Sequence, residues 1–152
     1  MYQRILVPFD GSPTSLLGLE EAIKLAKLTG ASLRVIYQID ELADVTGFES
    51  AAIYASDVLP SLRRIGAGIL DQARSRTQAA GVAAQTDMFE SCGRKLDELV
   101  MEQVKAWNAD LVVIGSHGRR GAARLFMGSD AEQILRTAPV PVLIVRKADA
   151  AC

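Results

Sequence analysis

Three short, unbroken aliphatic runs constrain this chain more than any other feature: Ile5-Leu6-Val7, Leu111 to Ile114, and Val142 to Val145. A strand with one wet face alternates apolar and polar residues; an unbroken run suits a strand covered on both faces, as in a parallel sheet. Helical patterns lie between the runs. Leu16, Leu19, Ile23 and Ala26 share one helical face. Ser12 is placed as N-cap, Pro13 as first helical residue, and Gly30 just past the end, near Thr29. A second helix reads from Leu59 to about Ala80, with Leu62, Ile65, Ile69 and Ala73 as its stripe and Gly66 and Gly68 as weak points. A third reads from Lys95 to Trp107, with Leu96, Leu99, Val100 and Val104 facing the core beside Trp107, the lone tryptophan. Ser32 to Ile39 reads as a strand. Val82 to Phe89 carries Gln85, Thr86 and Asp87 and suits a sheet edge. Asp40 to Asp57 has no clear period; a connection that long is usually functional or mobile, with room for a short helix. Strands alternating with helices predict an α/β domain with a parallel sheet and right-handed crossovers.

Chemistry concentrates after the Leu111 run. Gly115 ends it and Gly118 follows. Nine residues later come Gly128 and Ser129, and then a helical pattern to Arg136. Strand, glycine-bounded loop and helix form a phosphate-cradling layout. Glycine lets backbone N–H groups approach an anion, and a helix N-terminus favours negative charge. The loop carries Arg119, Arg120 and Arg124 and no acid, although the chain's formal charge is only −1. Guanidinium forks match phosphate oxygens. His117, the only histidine, lies in the same loop. Ser129-x-x-Glu132 also reads as a capping box, which starts a helix with or without a ligand. Asp10, before Gly11, reads equally as a turn residue.

The spacing Gly115-x2-Gly118-x9-Gly128-Ser129 resembles the nucleotide-binding signature of the universal stress protein family. The resemblance extends from ILVPFDGS at the start to PVPVLIVR at the end. It implies a three-layer α/β domain over 1–147, of the adenine nucleotide alpha hydrolase-like kind. Its open five-stranded sheet has the order 3-2-1-4-5, with helices on both faces. The polar third strand agrees: if it is an edge, strand four must return to the far side of strand one. Ligands in such sheets bind beyond the strand C-termini where the order reverses. The resemblance implies an ATP site there, or one for AMP or ADP, with Mg²⁺ carried on the nucleotide. It would be built from Pro8, Phe9, Asp10, Gln38, Gly115, Ser116, His117, Gly118, Arg119, Gly128, Ser129 and Asp130. Asp10 would take the ribose hydroxyls, and Gln38 falls where the family contacts adenine, largely through backbone. Gln38 and Asp130 both stand where many members carry an apolar residue. A regulatory or stress-response role is implied, as is a homodimer through the last strand, whose apolar edge no charge or proline interrupts.

Other classes fit less well. No Gly-Lys-Ser/Thr follows the glycines, their spacing is not G-x-G-x-x-G, and Gly115-Ser116-His117-Gly118 is not a G-x-S-x-G elbow. A slow ATPase or phosphotransfer enzyme using the same site stays open, with no catalytic residue to name. Near-neutral charge argues against nucleic acid as a partner. Cys92 and Cys152 match no zinc or CxxC spacing and point to a reducing compartment; no cluster of histidines or carboxylates marks a metal. No segment approaches the roughly 20 apolar residues of a membrane helix, and the start reads as no signal peptide. The expectation is a soluble, cytoplasmic protein with a frayed tail over 148–152.

Overall fold

The computed structural model describes residues 1–39, 41, 51–117 and 127–148. Five strands run parallel: β1 (Arg4–Pro8), β2 (Ser32–Ile39), β3 (Ala84–Glu90), β4 (Leu111–Gly115) and β5 (Val142–Val145), in the order β3-β2-β1-β4-β5. This is the expected order, with β3 and β5 as edges. The helices are α1 (Pro13–Thr29), α2 (Leu59–Ala79), α3 (Leu96–Trp107) and α4 (Ser129–Thr137).

The unbroken runs are explained by two cores, one on each face. Successive side chains of a strand point to opposite faces. Ile5 and Val7 therefore join Leu19, Ala22, Ile69 and Ala73 under α1 and α2. Leu6, between them, joins Leu99, Val100 and Ile134 under α3 and α4. Each fully buried Leu or Ile contributes about 1.5–3 kcal/mol of hydrophobic stabilisation, so neither face of β1 tolerates a polar residue. Trp107 is half-buried and packs against the second core.

Caps set α1 as expected. The Ser12 side chain accepts from Ser15 N–H at 3.3 Å, and Gly30, at φ 75°, donates its N–H to Ala26 O at 2.8 Å. Elsewhere the structure corrects the reading. α2 is preceded by a helical turn, Ala51–Ile53, and a π segment, Tyr54–Val58. The stripe of α2 does not include Ile65, which is 50% exposed. Gly66, Ile69, Leu70, Ala73 and Thr77 face inward instead. Gly66 is no weak point, because a Cβ there would lie 2.5 Å from Met88 Sδ and 2.8 Å from the Tyr37 ring. The missing side chain lets α2 approach β2 and β3. Gly68 meets nothing. β3 starts at Ala84, not Val82, because the Val82 N–H still bonds Thr77 O in the turn after α2. Among the described residues, no helix is long and apolar enough to cross a membrane. Residues 149–152 of the expected tail lie outside the described residues.

Candidate functional site

The sheet reverses direction between β1 and β4, so the loops leaving their C-terminal ends share one crevice. On the β1 side, Pro8 and Phe9 are buried, and Phe9 N–H donates to Ile36 O at 2.9 Å. Asp10 is half-buried and its Oδ1 accepts from Ser12 N–H at 2.9 Å. The turn reading of Asp10 is therefore correct, and it stands at the mouth of the crevice as well.

On the β4 side the loop is pinned at both ends. Ser116, 1% exposed, donates its N–H to Val145 O at 2.9 Å and accepts from Gly128 N–H at 2.8 Å through its carbonyl. The residues that flank the loop thus meet. Its interior, including Gly118, Arg119, Arg120 and Arg124, lies outside the described residues. The Thr14 hydroxyl donates to His117 O, tying α1 to the same loop. Ser116 Oγ and His117 Nδ1 are 2.9 Å apart, while His117 Nε2 is buried without a partner among the described residues.

The glycines divide in role. A Cβ on Gly115 would fall 2.6 Å from the Thr14 carbonyl carbon and oxygen and 2.8 Å from Ser15 N. That glycine exists so that the first turn of α1 can sit on the end of β4. Gly18 does the same from the helix side, where a Cβ would be 3.2 Å from Gly115 N. Sequence reading missed Gly18 and Thr14. A glycine inside a helix costs roughly 0.5–1 kcal/mol relative to alanine, which was the available signal for close approach at position 18.

The capping-box reading of Ser129 is corrected. Gly128 is the N-cap of α4, at φ −60° and ψ 150°, and Ser129 is already helical, so its hydroxyl is not in the N-cap position. Glu132 turns to Arg136 at 2.7 Å instead of back to the cap. The cause is the bond from Gly128 N–H to Ser116 O, which fixes the chain one residue earlier than the S-x-x-E pattern suggests. The N-cap glycine has no side chain to offer the first amides of α4, which lie beyond the end of β4. Ser129 and Asp130 are exposed in that first turn. The Gln38 side chain is occupied, its Nε2 donating to Arg94 O at 3.3 Å, which leaves its backbone at the end of β2.

Two further features lie outside the crevice. A surface hollow of about 360 Å³ opens at the opposite, N-terminal rim of the sheet, among Arg4, Ser32, Leu33, Gln85 and Trp107. Beyond β2 and β3, Glu41, Glu90 and Cys92 converge, a grouping that sequence spacing does not show.

Comparison with known proteins agrees with this geometry. Residues 1–146 match the universal stress protein family. The chain is similar to a universal stress protein of Methanocaldococcus jannaschii, MJ0531, at 34% identity over 97% of this chain and 84% of that one. Among solved structures, a universal stress protein family member from Burkholderia pseudomallei is 30% identical, with TM-score 0.73 over 95% of this chain and 96% of that one. A universal stress protein solved in complex with cAMP is 26% identical, with TM-score 0.65 over 97% and 98%. With the sheet order and the reversal point in place and the family match running over nearly the whole chain, the chain belongs to the universal stress protein family.

Proposed function

We propose that this protein is a regulatory adenine-nucleotide-binding protein that takes ATP, with its Mg²⁺, in the crevice between β1 and β4. The observation that carries the reading is the start of α4. A helix that starts from a glycine N-cap, placed beyond a parallel strand at the point of reversal, suits an anion. The buried Nε2 of His117 adds a polar atom without a partner among the described residues, and the relative solved with cAMP supports an adenine nucleotide. In this reading Asp10 accepts from the ribose hydroxyls, and Phe9 and Gln38 border the base. The amides of Ser129 and Asp130 and the loop residues Gly118 and Arg119 take the phosphates. The Asp130 carboxylate faces away from the triphosphate or toward its cation.

Two measurements test this. Mass spectrometry of gently purified protein should find a retained adenine nucleotide. Replacing Arg119, Arg120 and Arg124 together should weaken ATP by tenfold or more while adenosine binding changes little; equal losses would refute a phosphate role. Incubation with ATP separates the regulatory reading from a slow ATPase or phosphotransfer enzyme, since only the latter two turn the nucleotide over.

The protein acts as a homodimer through β5. All four residues of this edge strand are only half-buried within one chain, which leaves a flat apolar edge for a second copy. Val145→Lys, with the fold checked by circular dichroism, should halve the mass seen by light scattering. A parent protein that is monomeric at tens of micromolar would overturn this.

A further inference from the structure

At the N-terminal rim of the sheet, away from the crevice, the hollow of about 360 Å³ lies against the starts of β1, β2 and β3 and the end of α3. That volume falls at the small end of the range for ligand sites, roughly 300–1,000 Å³. Local structure places an aromatic ring there. α3 stops at Trp107 because Asn108 takes the left-handed conformation, at φ 52°, and the chain turns back toward β4. The indole is left half-buried at the rim, where it packs against the second core and also lines the hollow.

The lining combines an apolar floor with one cation. Leu33 is buried, Ala84 is half-buried, and Trp107 adds its ring. Arg4 brings the charge. Its Nη1 donates to Trp107 O at 3.0 Å, which holds the guanidinium at the end of α3, and it joins no ion pair among the described residues. One such bond leaves most of the guanidinium N–H donors unspent. The Ser32 hydroxyl and the Gln85 amide add uncharged donors. Among the described residues no acid lines the hollow. Two acids of the adjoining segments are already engaged. Asp110 accepts from the backbone N–H groups of Gln3 and Arg4 at 2.8 and 3.0 Å, and Asp87 pairs with Arg34 at 2.7 Å.

We infer that this hollow binds a small carboxylate with a flat apolar body, of the aromatic-acid class. A guanidinium fork matches a carboxylate, and an indole favours a second ring stacked or set edge to face. One cation beside three apolar residues suits a ligand with one charge and one ring. A polyanion such as ATP would find a single positive charge here and nothing for the rest. The site is independent of the nucleotide reading, since it lies at the opposite rim of the sheet.

Benzoate is the probe and Trp107 the reporter, because the lone tryptophan gives a single indole N–H signal in the magnetic resonance spectrum of isotope-labelled protein. Titration of the full-length protein with benzoate should move that signal saturably, with millimolar affinity. Benzamide, the neutral isostere, should bind at least tenfold more weakly, the worth of one hydrogen bond to a charged group. Arg4→Gln should bring benzoate down to the benzamide level and leave benzamide unchanged, with circular dichroism confirming the fold. Gln85 is exposed, so charge can be added there without touching the core. Gln85→Lys should tighten benzoate about threefold, and Gln85→Glu should weaken it about as much. Saturating ATP should leave the titration unchanged. Absence of a saturable shift in the parent overturns the inference, as does displacement of benzoate by ATP. So does equal binding of benzoate and benzamide, or a benzoate affinity indifferent to Arg4→Gln or to the two charges at position 85.

Discussion

The two ends of the C-terminal rim are built by opposite means. At the β1–β4 end, backbone meets backbone: Gly115 and Gly18 let the start of α1 lie on β4, and Gly128 closes the loop onto Ser116. What this end offers a ligand is mainly amides. At the β2–β3 end, side chains from separate segments converge, with two carboxylates and a thiol in one place. The contrast separates two meanings of a glycine in a binding signature. Some glycines are bare because a ligand comes close, and others because the protein does. Gly115 is of the second kind: its missing Cβ is filled by Thr14 and Ser15.

The largest effect should come from breaking that backbone contact. Gly115→Ala forces a Cβ to within 2.6 Å of main-chain atoms of Thr14, and no flexible side chain can yield there. Overpacking of this sort typically costs 1–3 kcal/mol and more where backbone must move, so about 3 kcal/mol is expected from urea denaturation. Gly128→Ala is the control within the same signature. Its dihedrals suit alanine, and its Cβ would sit 3.3 Å from Ser116 O, so about 1 kcal/mol is expected, mostly from the poorer N-cap. Equal destabilisation by the two changes would erase the distinction.

The same logic sharpens at the other end, within one helix. Gly66→Ala puts a Cβ against Met88 and the Tyr37 ring. The methionine can swing aside, but Tyr37 is 6% exposed and held. A loss of about 1–2 kcal/mol is expected, after the gain in helix propensity is allowed for. Gly68→Ala meets open space and should stabilise by roughly 0.5–1 kcal/mol. Thermal midpoints moving in opposite directions would establish that α2 sits close over β2 and β3; both rising would refute it.

These positions also show why some of the molecule was legible in the sequence. The bounds of β2 and β5, the caps of α1 and the edge position of β3 rest on local chemistry: aliphatic runs, Ser12-Pro13, Gly30 and polar Gln85 to Asp87. The π segment was not legible. There Leu59 N–H bonds back to Tyr54 O, five residues away, so side chains leave the 3.6-residue pattern and the stretch looks aperiodic. Ile65 was misplaced for a related reason: with hydrophobicity as the only guide, an isoleucine outranks a glycine for the inner face, yet Gly66 faces the sheet. Ser129 was misread because a four-residue pattern carries no knowledge of Ser116, which fixes Gly128 from across the loop. Likewise Glu41 and Cys92 have no local signature, and only the pairing of β2 with β3 brings the ends of those strands together. The glycine signature was the more readable feature because it is one contiguous stretch of sequence.

The smallest effect tests the chemistry of the side-chain end through Tyr54. Its hydroxyl oxygen is buried and unpartnered among the described residues. Tyr54→Phe removes a polar atom that makes no bond and leaves the ring in place, so stability at neutral pH should change by less than about 1 kcal/mol, or rise. The pH dependence is more telling. Burial, and then the charges of Glu41, Glu90 and Cys92, raise the phenol above its ordinary value of 10.0 in the folded state. The folded state therefore holds the proton more tightly than the unfolded state. Below pH 10 both keep it, and the group contributes no slope. Above pH 10 the unfolded chain ionises first, and stability falls until the folded-state value is passed. The parent should lose stability over that alkaline interval by an increment that Tyr54→Phe lacks, measured as the difference between the two proteins in urea midpoint at pH 9 and pH 11. Parallel curves for the two proteins would mean that Tyr54 ionises as freely folded as unfolded, and that the acidic and thiol groups around it do not act on it.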